Sequence, residues 1–186
     1  MTEKRNGAKE FYPVLLVTMI VTLSMTALII VNSITLPLIE ENRKAVFNEK
    51  LAEMFGEMDD SEHLEELDVY IVKDGAGDVV GYAFTVIGSG YGGDIDMLVG
   101  IESDMATIRG LSVITHSETP GLGAKITEPW FQEQFQGKDI NALALSVNGG
   151  DIDAISGATI SSSAVVDAVK ETVLAKIAEL QSEGVP

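Results

Sequence analysis

The chain has no cysteine among its 186 residues. Disulfides, thiolate nucleophiles and cysteine-ligated iron–sulfur clusters are therefore excluded, and any redox chemistry has to come from another cofactor. Histidine is scarce: His63 and His116 stand alone, too few and too far from paired carboxylates for a zinc site. Asp94 with Asp96, and Asp151 with Asp153, offer two carboxylates each, fewer oxygen ligands than a calcium loop needs. No metal is expected. Basic residues are also few, 12 against 29 acidic ones, for a net charge of −17. Three basic and two acidic residues precede Glu40, so the remainder carries 9 against 27, a net −18. Such a surface repels phosphate backbones and excludes nucleic acid as a partner. Its plain use is solubility; its sharper use is steering a cationic partner or ion. There is no nucleophile elbow, triad pattern or P-loop, and no catalytic residue is assigned.

Charge is absent altogether from Phe11 to Ile39. Crossing a bilayer core takes about 20 apolar residues, and the run exceeds the roughly 15 of a secretory leader, so it reads as a retained anchor. Pro13 and Pro37 are expected at its ends or at kinks. Sidedness is undecided by charge, since Lys4, Arg5 and Lys9 before the span balance Arg43, Lys44 and Lys50 after it. The shortness of the N-terminal tail favours placing the large acidic domain outside. Beyond the span, Phe47, Leu51, Met54, Phe55 and Met58 keep a helical period, which Gly56 and the acidic residues Asp59, Asp60 and Glu62 bring to an end. The expected division is a cytoplasmic tail at 1–12, an anchor helix at 13–37, a juxtamembrane helix at 38–60 and a folded domain at 61–186.

Within that domain, Leu67–Val72 and Val79–Ile87 flank the turn residues Asp74-Gly75-Ala76-Gly77-Asp78 and read as a hairpin. The cluster Gly88-Ser89-Gly90-Tyr91-Gly92-Gly93 lacks the context of a dinucleotide fingerprint and reads as a joint between strands. Ile95–Ile101 and Thr107–Thr115 are two more strands, with Asp104 and Gly110 near their junction. A short helix is expected over Glu128–Phe135, carrying Trp130 and Phe131. A buried strand is expected over Ala142–Val147, with a turn at Asn148-Gly149-Gly150. The extreme ends, Met1–Ala8 and Gln181–Pro186, read as disordered. The fold class is α/β in the α+β sense, a mostly antiparallel sheet with flanking helices behind one transmembrane helix.

Val166, Val169, Val173, Ile177 and Leu180 recur at helical spacing and mark a final amphipathic helix. Immediately before it runs Asp153-Ala154-Ile155-Ser156-Gly157-Ala158-Thr159-Ile160-Ser161, so these small and hydroxylated residues occupy a helix N-terminus. Unpartnered N–H groups and the positive end of the dipole can hold an anion there without a basic side chain. Gly157 and Ala158 leave room beside the Thr159 hydroxyl. Ser156 and Ser161–Ser163 read as helix caps. A second segment, His116-Ser117-Glu118-Thr119-Pro120-Gly121-Leu122-Gly123-Ala124-Lys125, carries a Pro-Gly turn and glycines suited to close backbone approach. Lys125 could add a cation to a nearby anion.

Asp153-Ala154-Ile155-Ser156-Gly157-Ala158-Thr159 resembles the flavinylation motif of the FMN-binding domain family, and Glu118-Thr119-Pro120-Gly121-Leu122-Gly123 resembles its second signature. Gly90–Ile95 is similar to that family's glycine-rich strand entry, and the resemblance extends from about Val14 to Leu180. It implies FMN joined through its phosphate to the Thr159 hydroxyl by a flavin transferase, with Asp153 needed for the transfer. Thr119, Gly121 and Leu122 would lie against the isoalloxazine ring; Ser156, Gly157, Ala158, Glu118 and Gly123 complete the two motifs. The short form is most similar to the G subunit of Rnf ferredoxin:NAD oxidoreductases, with the C subunit of sodium-translocating NADH:quinone oxidoreductases as the related alternative. The implied role is electron transport inside an ion-translocating membrane complex, without independent substrate turnover. Its partners would be the other membrane and redox subunits, the transferase and the lipid bilayer, with the domain outside the inner membrane. A membrane-anchored, non-redox sensor or binding domain is the alternative of a different class.

Overall fold

The structure, a computed structural model, describes residues 7–56, 60–64 and 67–184. The chain divides into two compact units, residues 1–45 and 46–186.

The first unit is helical. Helix α1 (Gly7–Phe55) contains the whole uncharged run, and the large apolar side chains from Phe11 to Ile39 are exposed on every face. A helix apolar all round needs an apolar surrounding, and this one is long and apolar enough to cross a membrane. Four of its threonine hydroxyls are satisfied internally: Thr18, Thr22 and Thr26 donate to the carbonyls of Val14, Thr18 and Thr22, and Thr35 to that of Val31, at 2.7–2.9 Å. That arrangement suits a medium without hydrogen-bonding solvent. Pro13 and Pro37 lie inside α1, so they are not its ends, the first of the two roles expected of them. Proline deletes one ladder bond, which a long helix tolerates where no other partner competes for the backbone. The separate juxtamembrane helix is likewise part of α1. Residues Lys4, Arg5, Met58 and Asp59, on which parts of the sequence reading rested, lie outside the described residues.

The second unit opens with the last turns of α1, which stop at Phe55; Gly56 takes φ +78° and donates its N–H to the Ala52 carbonyl at 2.8 Å. Five strands follow, β1 (Asp60–Leu64), β2 (Val69–Lys73), β3 (Val79–Ser89), β4 (Asp94–Glu102) and β5 (Ile108–His116). They form one antiparallel sheet in chain order. The β2–β3 turn is drawn tight by Asp74, whose Oδ1 accepts from the N–H groups of Ala76 and Asp78, both at 2.9 Å. β1 is a correction to the sequence reading, in which Asp60 and Glu62 only closed a helix. Its composition, Asp60-Ser61-Glu62-His63-Leu64, lacks a β-former signal, and pairing with β2 supplies what propensity does not.

Both faces of the sheet are covered. On one, Tyr82, Phe84 and Val86 of β3 and Ile95, Met97, Val99 and Ile101 of β4 form the main core with Val165, Val166, Val169 and Val173 of α3 (Thr159–Glu183). Phe131 and Phe135, from α2 (Pro129–Gln132) and the short 3-10 turn after it, complete that core. On the other face, Leu51 and Phe55 of α1 pack with Val72, Ala83 and Leu98. Glycine makes this second contact possible. Gly100 and Gly110 face each other across β4 and β5, and a Cβ on Gly100 would lie 2.3 Å from the Met54 Sδ. Arg109 then pins the helix end: Nε donates to the Met54 carbonyl at 3.0 Å, Nη1 to Glu102 Oε2 at 2.9 Å, and its guanidinium carbon stands 4.9 Å from the Phe55 ring centre.

The expected strand over Ala142–Val147 does not form. Two 3-10 turns, Ile140–Ala142 and Ser146–Asn148, flank the buried Leu143 and Leu145, and the ladder contact that remains there is a bridge from Leu145 to Ile152. Asp139 turns the chain by accepting from the Asn141 N–H at 2.8 Å, and the Gly150 N–H returns to the Leu145 carbonyl at 3.0 Å. These local bonds outcompete the extended form that apolar alternation predicts. Gln181–Glu183, expected to be disordered, belong to α3.

Replacing Arg109 by Ala should lower unfolding stability by about 1–3 kcal/mol, because two carbonyl or carboxylate acceptors lose their donor; urea unfolding followed by the single tryptophan, Trp130, measures it. A second expectation concerns acid. The side chain and N–H of Thr107 and the N–H of Ala106 hold the Asp104 carboxyl below the ordinary aspartate value of 3.8. A depressed carboxylate stabilises the fold above that ordinary value and loses its contribution as pH falls through the folded value. Asp104→Asn should therefore flatten the acid limb of the stability–pH curve below about pH 4, slightly, because the group is well solvated.

Candidate functional site

Two turns of the same design meet at the N-terminal end of α3. In Thr119-Pro120-Gly121-Leu122 the Leu122 N–H donates to the Thr119 carbonyl at 3.2 Å, and Gly121 takes φ +77°. In Ile155-Ser156-Gly157-Ala158 the Ala158 N–H donates to the Ile155 carbonyl at 2.9 Å, and Gly157 takes φ +79°. Positive φ at the third residue is what a type II turn demands, and glycine supplies it without strain. The turns touch: a Cβ on Gly157 would stand 3.3 Å from the Leu122 Cδ2.

Between them lies a cavity of about 480 Å³. One wall is Glu118, Thr119, Leu122 and Gly123; the other is Gly157, Ala158, Thr159, Ile160 and Ser161; Tyr91, from the β3–β4 turn, closes a third side. Its size lies in the range of cofactor pockets, about 300–1,000 Å³. Three of the lining apolar side chains are left to solvent, Tyr91 at 72%, Leu122 at 46% and Ile160 at 59% exposure. At the floor, α3 begins with Ala158 as its cap residue and no side-chain cap bond. The first backbone bond into the helix runs from the Ser162 N–H to the Ala158 carbonyl at 3.0 Å, so the N–H groups of Thr159, Ile160 and Ser161 have no acceptor within the helix. Thr159 itself is exposed.

Glu118 is buried in the pocket wall, 5% exposed. Its Oε1 accepts from the Gly92 N–H at 2.9 Å and its Oε2 from the Ser161 hydroxyl at 2.6 Å. The surrounding glycines make room for it. A Cβ on Gly123 would fall 2.2 Å from Glu118 Oε2, and one on Gly90 would fall 2.1 Å from Oε1. The serines are not helix caps as expected. Ser161 holds the carboxylate, and the Ser162 hydroxyl accepts from the Ile155 N–H and donates to the Ala158 carbonyl, both at 3.0 Å, stapling the second turn to α3.

The structure thus brings Glu118, Thr119, Leu122, Gly123, Gly157, Ala158 and Thr159 into one lining, while Gly121 and Ser156 shape the turns behind it. Asp153 and Lys125 are not among the lining residues. Asp153 is exposed, and its backbone is clamped by Gln134, whose Oε1 accepts from the Asp153 N–H at 2.7 Å and whose amide donates to the Asp153 carbonyl at 3.4 Å. Tyr91, Ile160, Ser161 and Gln134 were missed as site residues. Ser161 carried a signal, being a hydroxyl three residues into a helix opposite an acidic motif, and Tyr91 lay within the Gly90–Ile95 segment that resembles the family's strand entry; Gln134 carried none, because only the tertiary fold brings it near Asp153.

An α+β domain with a half-apolar cavity built on a bare helix N-terminus is suited to hold a cofactor with an anionic group and an apolar body. Residues 90–173, a little under half of the chain, match the FMN-binding domain family. The G subunit of an ion-translocating oxidoreductase complex from Methanosarcina acetivorans is 54% identical over 100 residues, covering 54% of this chain and 53% of that protein. The G subunit of the Na(+)-translocating ferredoxin:NAD(+) oxidoreductase complex of Acetobacterium woodii is 41% identical over 132 residues, 67% of this chain and 61% of that one. The chain therefore spans between half and two thirds of the length of these relatives. Among solved structures, the C subunit of the Na(+)-translocating NADH-quinone reductase from Parabacteroides distasonis is similar at 32% identity with a TM-score of 0.50, covering 58% of this chain and 60% of that one.

Gly123→Ala should cost about 1–3 kcal/mol of stability by overpacking against Glu118 and Ser161. Thermal unfolding checks this, with Gly121→Ala, where a Cβ meets nothing within 4 Å and only the positive φ opposes it, as the milder comparison.

Proposed function

We propose that the chain is the membrane-anchored flavin subunit of an Rnf-type ion-translocating oxidoreductase, carrying FMN through a phosphoester on the Thr159 hydroxyl. The observation that carries this reading is the position of Thr159: exposed, first in α3, and in one lining with both flanking turns. When bound, the flavin supplies reversible electron uptake, which no side chain of this cysteine-free chain can provide. The chain's own residues have three tasks. The open N–H groups of Thr159, Ile160 and Ser161 solvate a phosphate at the helix end. Leu122, Tyr91 and Ile160 give a planar apolar ring cover from water. Gly157 leaves clearance for the linked group.

A flavin transferase would join the phosphate to Thr159, the Thr159 oxygen replacing one phosphate oxygen and water being the net loss. Asp153, which is exposed and held through its backbone by Gln134, would be the residue that this enzyme requires. Lys125 enters only as a counter-charge from outside the lining. The anchor α1 spans the inner membrane once, and the domain lies on the extracytoplasmic side, as in the family resemblance. There a dissociated cofactor would be lost by dilution, and a covalent tether prevents it. The other membrane and redox subunits of the complex are the electron donors and acceptors. Likeness to the quinone-reductase C subunit favours membership of that pump as the second reading.

Intact mass is the deciding measurement. Protein made together with a flavin transferase should carry an adduct of FMN less one water, and Thr159→Ala should lose it while changing stability by no more than about 1 kcal/mol. An adduct surviving in Thr159→Ala refutes the linkage; recovery with quinone-reducing rather than ferredoxin-linked subunits selects the second reading.

A further inference from the structure

Glu118 raises a question that flavin attachment does not answer, namely why a carboxylate is buried in the wall of a site for an anionic cofactor. Burying a charge is costly unless it is fully bonded. Here both oxygens act as acceptors, one from the Gly92 N–H and one from the Ser161 hydroxyl, and two glycines, Gly90 and Gly123, leave room for the group. An apolar residue at position 118 would fill that wall without needing two donors. The charge itself is therefore the feature the surroundings are built to keep. Among the described residues it is also the one charged side chain in the lining of the cavity, with Lys125 outside it.

We propose that Glu118 sets a low reduction potential for the bound flavin. This rests on the reading of the cavity as the FMN site. In the step concerned a reduced redox protein of the complex gives up an electron and is oxidised, and the flavin takes that electron and is reduced. The added electron brings negative charge next to a fixed carboxylate in a partly desolvated wall, where Coulomb repulsion is screened far less than in water. The reduced flavin is raised in energy and becomes the stronger donor. Ser161 moderates the effect: its O–H draws charge from Oε2, the oxygen tied to the first turn of α3.

Two variants move the potential in opposite directions. Glu118→Gln removes the charge, while its amide oxygen can still accept from Gly92 and its amide nitrogen can donate to Ser161, so the pocket keeps its packing. Ser161→Ala keeps the charge and removes one of its donors. Full-length, flavin-loaded protein is titrated with dithionite in the presence of mediators, and the oxidised flavin absorbance is followed against potential. Glu118→Gln is expected to shift the midpoint positive and Ser161→Ala to shift it negative. A merely structural role would loosen the pocket in both and move both the same way. An unchanged or more negative midpoint in Glu118→Gln overturns the proposal, as does an unchanged or more positive one in Ser161→Ala, which decides alone if Glu118→Gln does not fold. Wild-type protein without flavin would instead refute the FMN reading, and this inference with it.

Discussion

The bonds of the Glu118 carboxylate are the constraint on which the site depends. They join residues 26 and 43 positions apart, linking the β3–β4 turn, the Pro-Gly turn after β5 and the start of α3. A buried carboxylate left with one donor missing would be strongly destabilising, so the three segments are tied as a set. The requirement reaches back into composition. Gly90 and Gly123 have no Cβ because the carboxylate oxygens occupy that space, and Gly92 has none because the Ser117 carbonyl stands 2.2 Å from where it would be.

Around that tie the pocket divides its work. The helix end offers partial positive charge from backbone groups, and the wall opposite offers a full negative one. Among the described residues no basic side chain is in the lining, and the acidic character of the whole chain adds to the imbalance. Weak attraction for a free anion is the natural outcome, which the proposed covalent bond would offset. What the fold supplies there is shape, with two matched turns and an apolar rim.

Much of this was legible in the chain, and the reasons differ by element. α3 announced itself because Val166, Val169, Val173, Ile177 and Leu180 obey one period, and the buried face of the helix contains all five. The β2–β3 hairpin was legible because Asp74 and Gly77 are turn residues for identifiable reasons. β1 was not, since a short edge strand borrows its order from β2. The segment 142–147 misled because burial of Leu143 and Leu145 alternates as in a strand while the backbone bonds are local. At the site, the two motifs marked the lining residues of their own loops. What they could not show was Tyr91 reaching in from another hairpin, or Ser161 turning from cap to carboxylate donor, because both follow from contacts across the fold.

The glycine recess beneath Met54 has a consequence for how the chain can change. Gly100 and Gly110 accept one bulky side chain at one angle. A single inserted or deleted residue between Phe47 and Met54 would rotate the terminal turn by about 100°. An insertion would bring Glu53, and a deletion Phe55, into the place of Met54 over the recess, and either would move Phe55 out of its position beside Arg109. Length variation is therefore confined to places other than this turn, and the helix end acts as a keyed joint whose register, more than its composition, is under constraint.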